Sequence, residues 1–273
     1  MTSGLDPIDL ELADEVLGLV ERRRRDLNLR DYRRSVLRRR IESRMAVLSL
    51  REPRQYLHRL AEDLGEADAL ARHMRIRTSE FFRNRDVFRL LAERVLAQPP
   101  SGDRLLRAWS AGCANGQEAY SLAFLTGAHA VRWTILGTDV DLTAIATATS
   151  ASYPRWAGEG LTDDECALLF GCRVAQTSTG PRRLLPPPCP VRFARHDLLR
   201  ASDPPDGREF DLVLCRNVLI YLVAEAQQRV QELLSRSVRA GGFLCLGEAE
   251  ALAHGVTARF RVVNARARLF QRI

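Results

Sequence analysis

The chain has 273 residues, 46% hydrophobic and 27% charged, the proportions of a water-soluble globular protein with one large domain or a small and a medium one. No apolar run approaches the roughly 20 residues that cross a bilayer, and Met1 to Asp6 lacks the basic and apolar regions of a signal peptide, so a cytoplasmic protein without membrane insertion is expected. The formal net charge is +7 and all 41 basic residues are arginine, which excludes a Schiff-base lysine and the lysine of a Walker-type phosphate loop.

From about residue 7 to 74 the pattern is helical throughout. Asp6-Pro7 is a start signal, followed by an apolar stripe of Leu10, Leu12, Val16, Leu17 and Val20. Tyr32, Val36, Leu37, Ile41, Met45 and Leu48 share one side of the next helix and leave its arginines on a wide solvent face. Shorter helices are expected over 54–60 and 67–74. Residues 21–44 carry 11 arginines against 4 acids, a net charge equal to that of the whole chain. So concentrated an excess points to an acidic partner surface. Nucleic acid fits less well, because aromatics are few and no zinc-finger or RNA-recognition signature accompanies the charge. Thr78 or Ser79 is placed to cap a helix beginning near Glu80, with Phe81 and Phe82 as anchors. The stretch from Gln98 to Asp103 then reads as a loop.

Strands and helices alternate from here. Leu105 to Trp109 reads as a buried strand and 119–125 as a helix packed on a sheet. Between them, Gly112 and Gly116 allow a tight turn and close approach of a ligand, although the third glycine of the dinucleotide fingerprint is missing. Taken alone, this stretch fits either a nucleoside pocket or a tight turn in some other α/β protein. Val131 to Asp139 is a second strand, and its terminal aspartate stands where Rossmann-type folds hold a ribose hydroxyl pair. Asp139 or Asp141 as a helix cap is the other reading. Residues 150–190 are expected as a helix over 162–170 and a loop. Further strands are Val191 to Ala194, the nearly all-apolar Phe210 to Cys215, and 243–248. Gly241-Gly242 is expected to stop a helix over 224–238, and 258–263 with 266–270 to close the sheet as an antiparallel pair. The six cysteines form no Cys-x-x-Cys pair, so no metal site and no disulfide framework is assigned. Ligands of open α/β sheets sit at the carboxyl ends of the strands, where Glu118, Asp139, Asp197, Arg216 and Asn217 all fall.

Four segments together resemble one family: Ser79-Glu80-Phe81-Phe82-Arg83, the turn from Trp109 to Ser121, Thr138-Asp139-Val140-Asp141, and Cys215-Arg216-Asn217-Val218-Leu219-Ile220-Tyr221. They look like the CheR-type chemoreceptor glutamate O-methyltransferases, and the arginine-rich helix resembles that family's N-terminal domain. The resemblance covers nearly the whole chain. It implies a Rossmann-like class I methyltransferase sheet, mostly parallel with an antiparallel last strand, together with a small all-helical domain. Residues 1–76 would then be a basic, receptor-docking domain, 77–100 a linker with a lid segment, and 101–273 the S-adenosylmethionine-binding domain. The implied reaction moves a methyl group from S-adenosylmethionine to glutamate carboxylates of a receptor's cytoplasmic helical bundle. S-adenosylhomocysteine is the implied product and a monomer the expected state.

Carried over position by position, the family's cofactor contacts fall on Ser79, Arg83, Glu118, Asp139 at the ribose, Asp197 and Leu198 beside the adenine, Arg216 and Asn217. Arg83, Arg216 and Tyr221 fall near the reacting groups and the substrate. The chain also departs from the pattern. Gln117 and Ala119 replace an acid and a proline, Asp197 replaces an asparagine, and the usual Gly-His-Ser-Glu reads Gly247-Glu248-Ala249-Glu250. Residues 170–185 lack the glycine-marked insertion with which some members grip a receptor's C-terminal peptide, so recognition is expected to rest on the basic helix. These departures keep a non-catalytic S-adenosylmethionine-binding sensor as the alternative. A nicotinamide oxidoreductase would need the missing glycine fingerprint. An amino-methylating enzyme of nucleic acid would show an Asn/Asp-Pro-Pro-aromatic motif where Cys215-Arg216-Asn217-Val218 stands.

Overall fold

The computed structural model describes residues 8–24, 29–74, 79–97, 104–129, 131–172 and 180–273. Asp6-Pro7, Thr78, the 98–103 loop, the side chain of Leu10 and the middle of the 170–185 segment lie outside the described residues. The chain divides into two compact units, Met1–Ile76 with Tyr221–Ala226, and Arg77–Ile220 with Gln227–Ile273.

The first unit is helical: α1 (Leu10–Arg23), α2 (Arg34–Val47), α3 (Pro53–Glu62) and α4 (Leu64–Met74). Asp9 caps α1, its side chain accepting from the Leu12 N–H at 2.7 Å. The apolar stripes meet in one core of Val16, Leu17, Val20, Leu37, Ile41, Met45, Tyr56, Leu60 and Leu70. The arginines of α2 lie largely at the surface as expected, with the exception of Arg44. Arg44 turns inward and donates through Nε and Nη2 to Glu66 Oε1 and Oε2, both at 2.8 Å, while the Tyr56 hydroxyl donates to Oε1 at 2.9 Å. Arg34 lies 3.0 Å from Asp14 and Arg38 3.6 Å from Glu42. Arg33 Nε donates to the Leu222 carbonyl at 3.0 Å. Periodicity places a side chain on a face but does not reveal a buried carboxylate waiting across the core, so the role of Arg44 was hidden.

The second unit is built on a seven-stranded sheet. Its strands are β1 (Leu106–Ala111), β2 (Trp133–Asp139), β5 (Val191–Arg195), β6 (Phe210–Cys215), β7 (Val238–Leu246), β8 (Phe260–Asn264) and β9 (Leu269–Arg272), in the order β5-β2-β1-β6-β7-β9-β8. All pairings from β5 to β7 are parallel, and β9 runs antiparallel to both β7 and β8. This is the mostly parallel Rossmann-like sheet with an antiparallel last strand. β6 is buried along its whole length, as a continuous apolar run in a central parallel strand requires. The connecting helices include α6 (Gln117–Thr126), α7 (Leu142–Ser150), α8 (Asp163–Phe170) and α9 (Ala224–Ser237). The strand order reverses at β1, where β2 lies on one side and β6 on the other. Such a switch point leaves a crevice beyond the strand ends.

Three expectations are corrected here. Gly241-Gly242 does not stop a helix: α9 ends at Ser237, β7 starts at Val238, and the glycines lie in the strand where its register against β6 shifts. Gly241 takes φ 74°, the backbone such a bulge calls for. No helix begins at Glu80. Phe82 and Asn84 adopt left-handed φ values of 50° and 60°, and α5 (Arg85–Leu91) starts only after them, running on as a π turn over Ala92–Leu96. Finally, the 150–190 region holds a short antiparallel pair, β3 (Ser152–Tyr153) with β4 (Arg182–Arg183), besides α8. Strands of two residues leave no alternation to read.

Candidate active site

The turn after β1 is held by β2. The Gly112 and Cys113 N–H groups donate to the Thr138 carbonyl at 2.8 and 2.9 Å, and Trp109 Nε1 donates to Thr138 Oγ1 at 2.8 Å. Gly112 has φ 73°, and a Cβ on it would lie 2.6 Å from Val218 Cγ2. Glycine is therefore required twice, for the backbone angle and for the close approach of the segment that follows β6.

Two carboxylates flank this turn. Asp139, at the end of β2, accepts from the Ala114 N–H through Oδ2 and from the Asp141 N–H through Oδ1, each at 2.9 Å. The helix cap of α7 is Asp141, which accepts from the Thr143 N–H at 2.9 Å. Asp139 thus fixes the glycine turn. Glu118, in the first turn of α6, accepts from Ser110 Oγ at 2.7 Å and from Arg216 Nη1 at 3.3 Å.

Arg216 is the hub of the site. Its side chain is only 2% exposed, and Nη2 also donates to the Arg83 carbonyl at 2.9 Å and to Asn84 Oδ1 at 2.8 Å. Its Nε is buried without a partner among the described residues, and the guanidinium carbon stands 5.5 Å from the centre of the Phe88 ring. Other bonds hold the 79–84 segment to the same framework. Gln117 Nε2 donates to the Ser79 carbonyl at 3.0 Å, and the Phe82 N–H donates to Ser121 Oγ at 2.9 Å. Phe81 packs edge-on against Tyr153 at 5.0 Å between ring centres. The segment expected as part of a linker is therefore an integral part of the second unit. Gln117, a departure from the family pattern, has a use here, because an amide can donate to a carbonyl and an ionised acid cannot.

Ser79, Glu80, Arg83, Gly112, Cys113, Ala114, Glu118, Arg216 and Asn217 line one cleft beyond the carboxyl ends of β1 and β6. Five of the predicted site residues meet there, namely Ser79, Arg83, Glu118, Arg216 and Asn217, and Asp139 adjoins it through Ala114. Asp197 and Leu198 lie outside that lining, on the turn after β5, where Asp197 accepts from the Leu199 N–H at 3.0 Å. Tyr221 groups with the helical unit, its carbonyl accepting from the Arg33 N–H at 2.9 Å. Sequence reasoning missed Glu80, Ser110 and Glu250. Glu80 stood in plain view within the Phe-Phe-Arg segment; Ser110 and Glu250 act only through partners brought close by folding. Burial, and then the nearby Asp139 and Glu118 charges, push the Cys113 thiol well above its ordinary range, so it is a wall of the cleft and not a nucleophile. Arg83 is half-buried with no partner for its guanidinium among the described residues.

This donor set suits a sulfonium-bearing amino-acid nucleoside. Asp139 is a carboxylate suited to adjacent hydroxyls, and Glu80 and Glu118 are carboxylates suited to an ammonium group. The residues fit the group.

Comparison with known proteins agrees with this chemistry. Residues 77–269 match the family described as CheR methyltransferase, SAM binding domain, and residues 17–74 match CheR methyltransferase, all-alpha domain. An uncharacterized 104.1 kDa protein from the hypE 3' region of Rhodobacter capsulatus is 39% identical, the alignment covering 98% of this chain and 28% of that protein. A chemotaxis protein methyltransferase of Listeria monocytogenes is 32% identical over 89% of this chain and 92% of its own length. The probable biofilm formation methyltransferase WspC of Pseudomonas aeruginosa is 31% identical over 80% of this chain and 52% of its own. The chain thus spans nearly all of one relative and less than a third of another.

Proposed function

The chain belongs to the CheR methyltransferase family, and on that premise we propose that it methylates glutamate side chains on the cytoplasmic helical bundle of a chemoreceptor, forming methyl esters. The single observation that carries this reading is the switch-point cleft, where Arg83, Glu118, Arg216 and Asn217 meet beside Asp139.

S-adenosylmethionine, when bound, supplies an electrophilic methyl group on a sulfonium. Transfer of that methyl to a glutamate oxygen would leave the electron pair of the S–C bond on sulfur, so the product would be S-adenosylhomocysteine. An unperturbed glutamate titrates near about 4.3, so the nucleophile is already ionised and no general base is assigned. The protein's task is to bind, orient and hold the reactants, worth on the order of 7–11 kcal/mol in favourable cases. Asp139 would hold the ribose hydroxyls and Glu118 the ammonium end, with Ser79, Asp197, Leu198 and Asn217 as further cofactor neighbours carried over from the family pattern. Arg83 orients the incoming carboxylate. Arg216 serves by holding Glu118, the Arg83 carbonyl and the Asn84 side chain, since both its Nη atoms are committed. Tyr221 is kept as a substrate-orienting residue on the family pattern alone. Docking falls to Arg39 and Arg40 of α2, which carry no ion-pair partner among the described residues. An acidic receptor surface complements them.

The test is transfer of labelled methyl from S-adenosylmethionine to receptor-containing membranes, followed by treatment with base. Base-labile label that is lost with Arg83→Ala supports the ester-forming reading. Full transfer by Asp139→Ala would remove the site assignment. Cofactor binding without transfer to any receptor preparation would favour the sensor.

A further inference from the structure

Resting on the cofactor cleft proposed above, we infer that Glu250 is a positioning residue: its carboxylate fixes the Asn217–Ile220 backbone and so sets where Asn217 stands in the cleft wall, next to Arg216. Glu250 is 4% exposed. Oε1 accepts from the Val218, Leu219 and Ile220 N–H groups at 2.9, 2.8 and 3.3 Å. Oε2 accepts from the Asn217 N–H at 3.2 Å and the Gly247 N–H at 2.6 Å. Consecutive backbone N–H groups converging on one point form the kind of nest that binds anions. Here the chain fills the nest with its own carboxylate, from a turn beyond the neighbouring strand β7.

Two further observations show that the arrangement is built tightly. Asn217 sits at φ 60°, a conformation that a non-glycine residue keeps when its surroundings impose it. A Cβ on Gly247 would lie 2.7 Å from both the Asn217 nitrogen and Glu250 Oε2. Val218, pinned in the middle of the nest, presses on Gly112 in the opposite wall of the cleft. One carboxylate therefore sets the Arg216–Asn217 wall and its spacing from the glycine turn. The exchanges at Glu248 and Ala249 leave this acid in place, so the departure from Gly-His-Ser-Glu does not reach the contact.

The experiment uses the full chain, binding of S-adenosylhomocysteine by calorimetry, and circular dichroism to confirm that each protein is folded at the working temperature. E250Q is isosteric. It keeps an oxygen for three of the N–H groups but turns an NH₂ donor toward those of Asn217 and Gly247. E250A empties the nest. Both variants are expected to raise the Kd about tenfold or more, and formate, which can enter the vacated nest, is expected to restore E250A toward wild type while chloride-matched ionic strength does not. Folded E250Q with the wild-type Kd overturns the inference, and so does an E250A defect that formate leaves unchanged. A wild-type chain that fails to bind S-adenosylhomocysteine overturns it together with the cofactor reading. Binding without methyl transfer overturns only the transfer reading.

Discussion

Arg216→Lys is the sharpest single test of how the cleft is held together. The guanidinium donates to Glu118, to the Arg83 carbonyl and to Asn84 Oδ1 at 3.3, 2.9 and 2.8 Å, in different directions from one plane. A lysine ammonium keeps the charge but cannot span this fork. Hydrogen bonds to a charged group contribute roughly 1.5–3 kcal/mol each, so loss of two would cost about 3–6 kcal/mol. The ammonium recovers part of this against Glu118, leaving about 2–4 kcal/mol. The loss divides between stability and ligand binding, because the bonds broken are those that hold Arg83, in the cleft wall, and the neighbouring Asn84. Urea unfolding and calorimetric titration with S-adenosylhomocysteine measure the two shares. A cycle with Glu118→Gln isolates the ion pair, and a coupling of about 1 kcal/mol or more is expected for charges this buried. Wild-type urea midpoint and wild-type Kd for Arg216→Lys would refute the reasoning. So would a coupling below about 0.5 kcal/mol, since the pair would then be no more than a contact.

In the helical unit, Glu66→Ala leaves Arg44 and the Tyr56 hydroxyl unpaired in the core and is expected to cost about 3–5 kcal/mol in urea unfolding. Burial raises the Glu66 pKa, but hydrogen bonds from Arg44 and Tyr56 outweigh it and the net shift is downward. Its contribution is therefore complete above the usual glutamate pKa and lost as pH falls through the lower folded value, which urea midpoints measured between neutral and acid pH will show. Burial, and then Glu66, raise the Tyr56 pKa. That contribution is full below the ordinary tyrosine pKa of 10.0 and fades as pH rises above it, visible in the alkaline limb of the same profile. Gly112→Ala places a side chain at φ 73° and 2.6 Å from Val218 Cγ2, so S-adenosylhomocysteine binding should weaken by tenfold or more, with a stability loss of at least about 1–2 kcal/mol; an unchanged Kd would show that the turn yields. Burial pushes the Cys245 thiol up to about 12 and the Cys215 thiol well above its ordinary range. Iodoacetamide at mildly alkaline pH should therefore label the half-buried Cys172 first and reach Cys113, Cys215 and Cys245 only on unfolding, as peptide mapping will report.

Much of this protein was determined by its sequence alone. The all-apolar run of β6, the glycine-bearing turn after β1, Asp139 closing β2 and the stripe of Leu37, Ile41 and Met45 are local patterns, and each is found where its period places it. The segments that resemble the family contain Ser79, Arg83, Glu118, Arg216 and Asn217, which line one cleft, whereas Asp197, Leu198 and Tyr221 lie outside that lining. Tertiary structure alone decided which of these side chains are available and which are already bound. Arg83 and Arg216 look alike in sequence, yet the guanidinium of the first has no partner among the described residues, and that of the second, at the cleft, is bound to Glu118, Arg83 and Asn84 and only 2% exposed. Arg44 leaves a solvent face for Glu66, Gly241-Gly242 becomes a strand bulge, and Glu250 reaches back to the turn after β6. Periodicity and propensity act over a few residues and so can be read along the chain. A hydrogen bond between groups separated by 22, 32 or 98 residues, as for Arg44–Glu66, Val218–Glu250 and Glu118–Arg216, exists only once packing has set both ends in place.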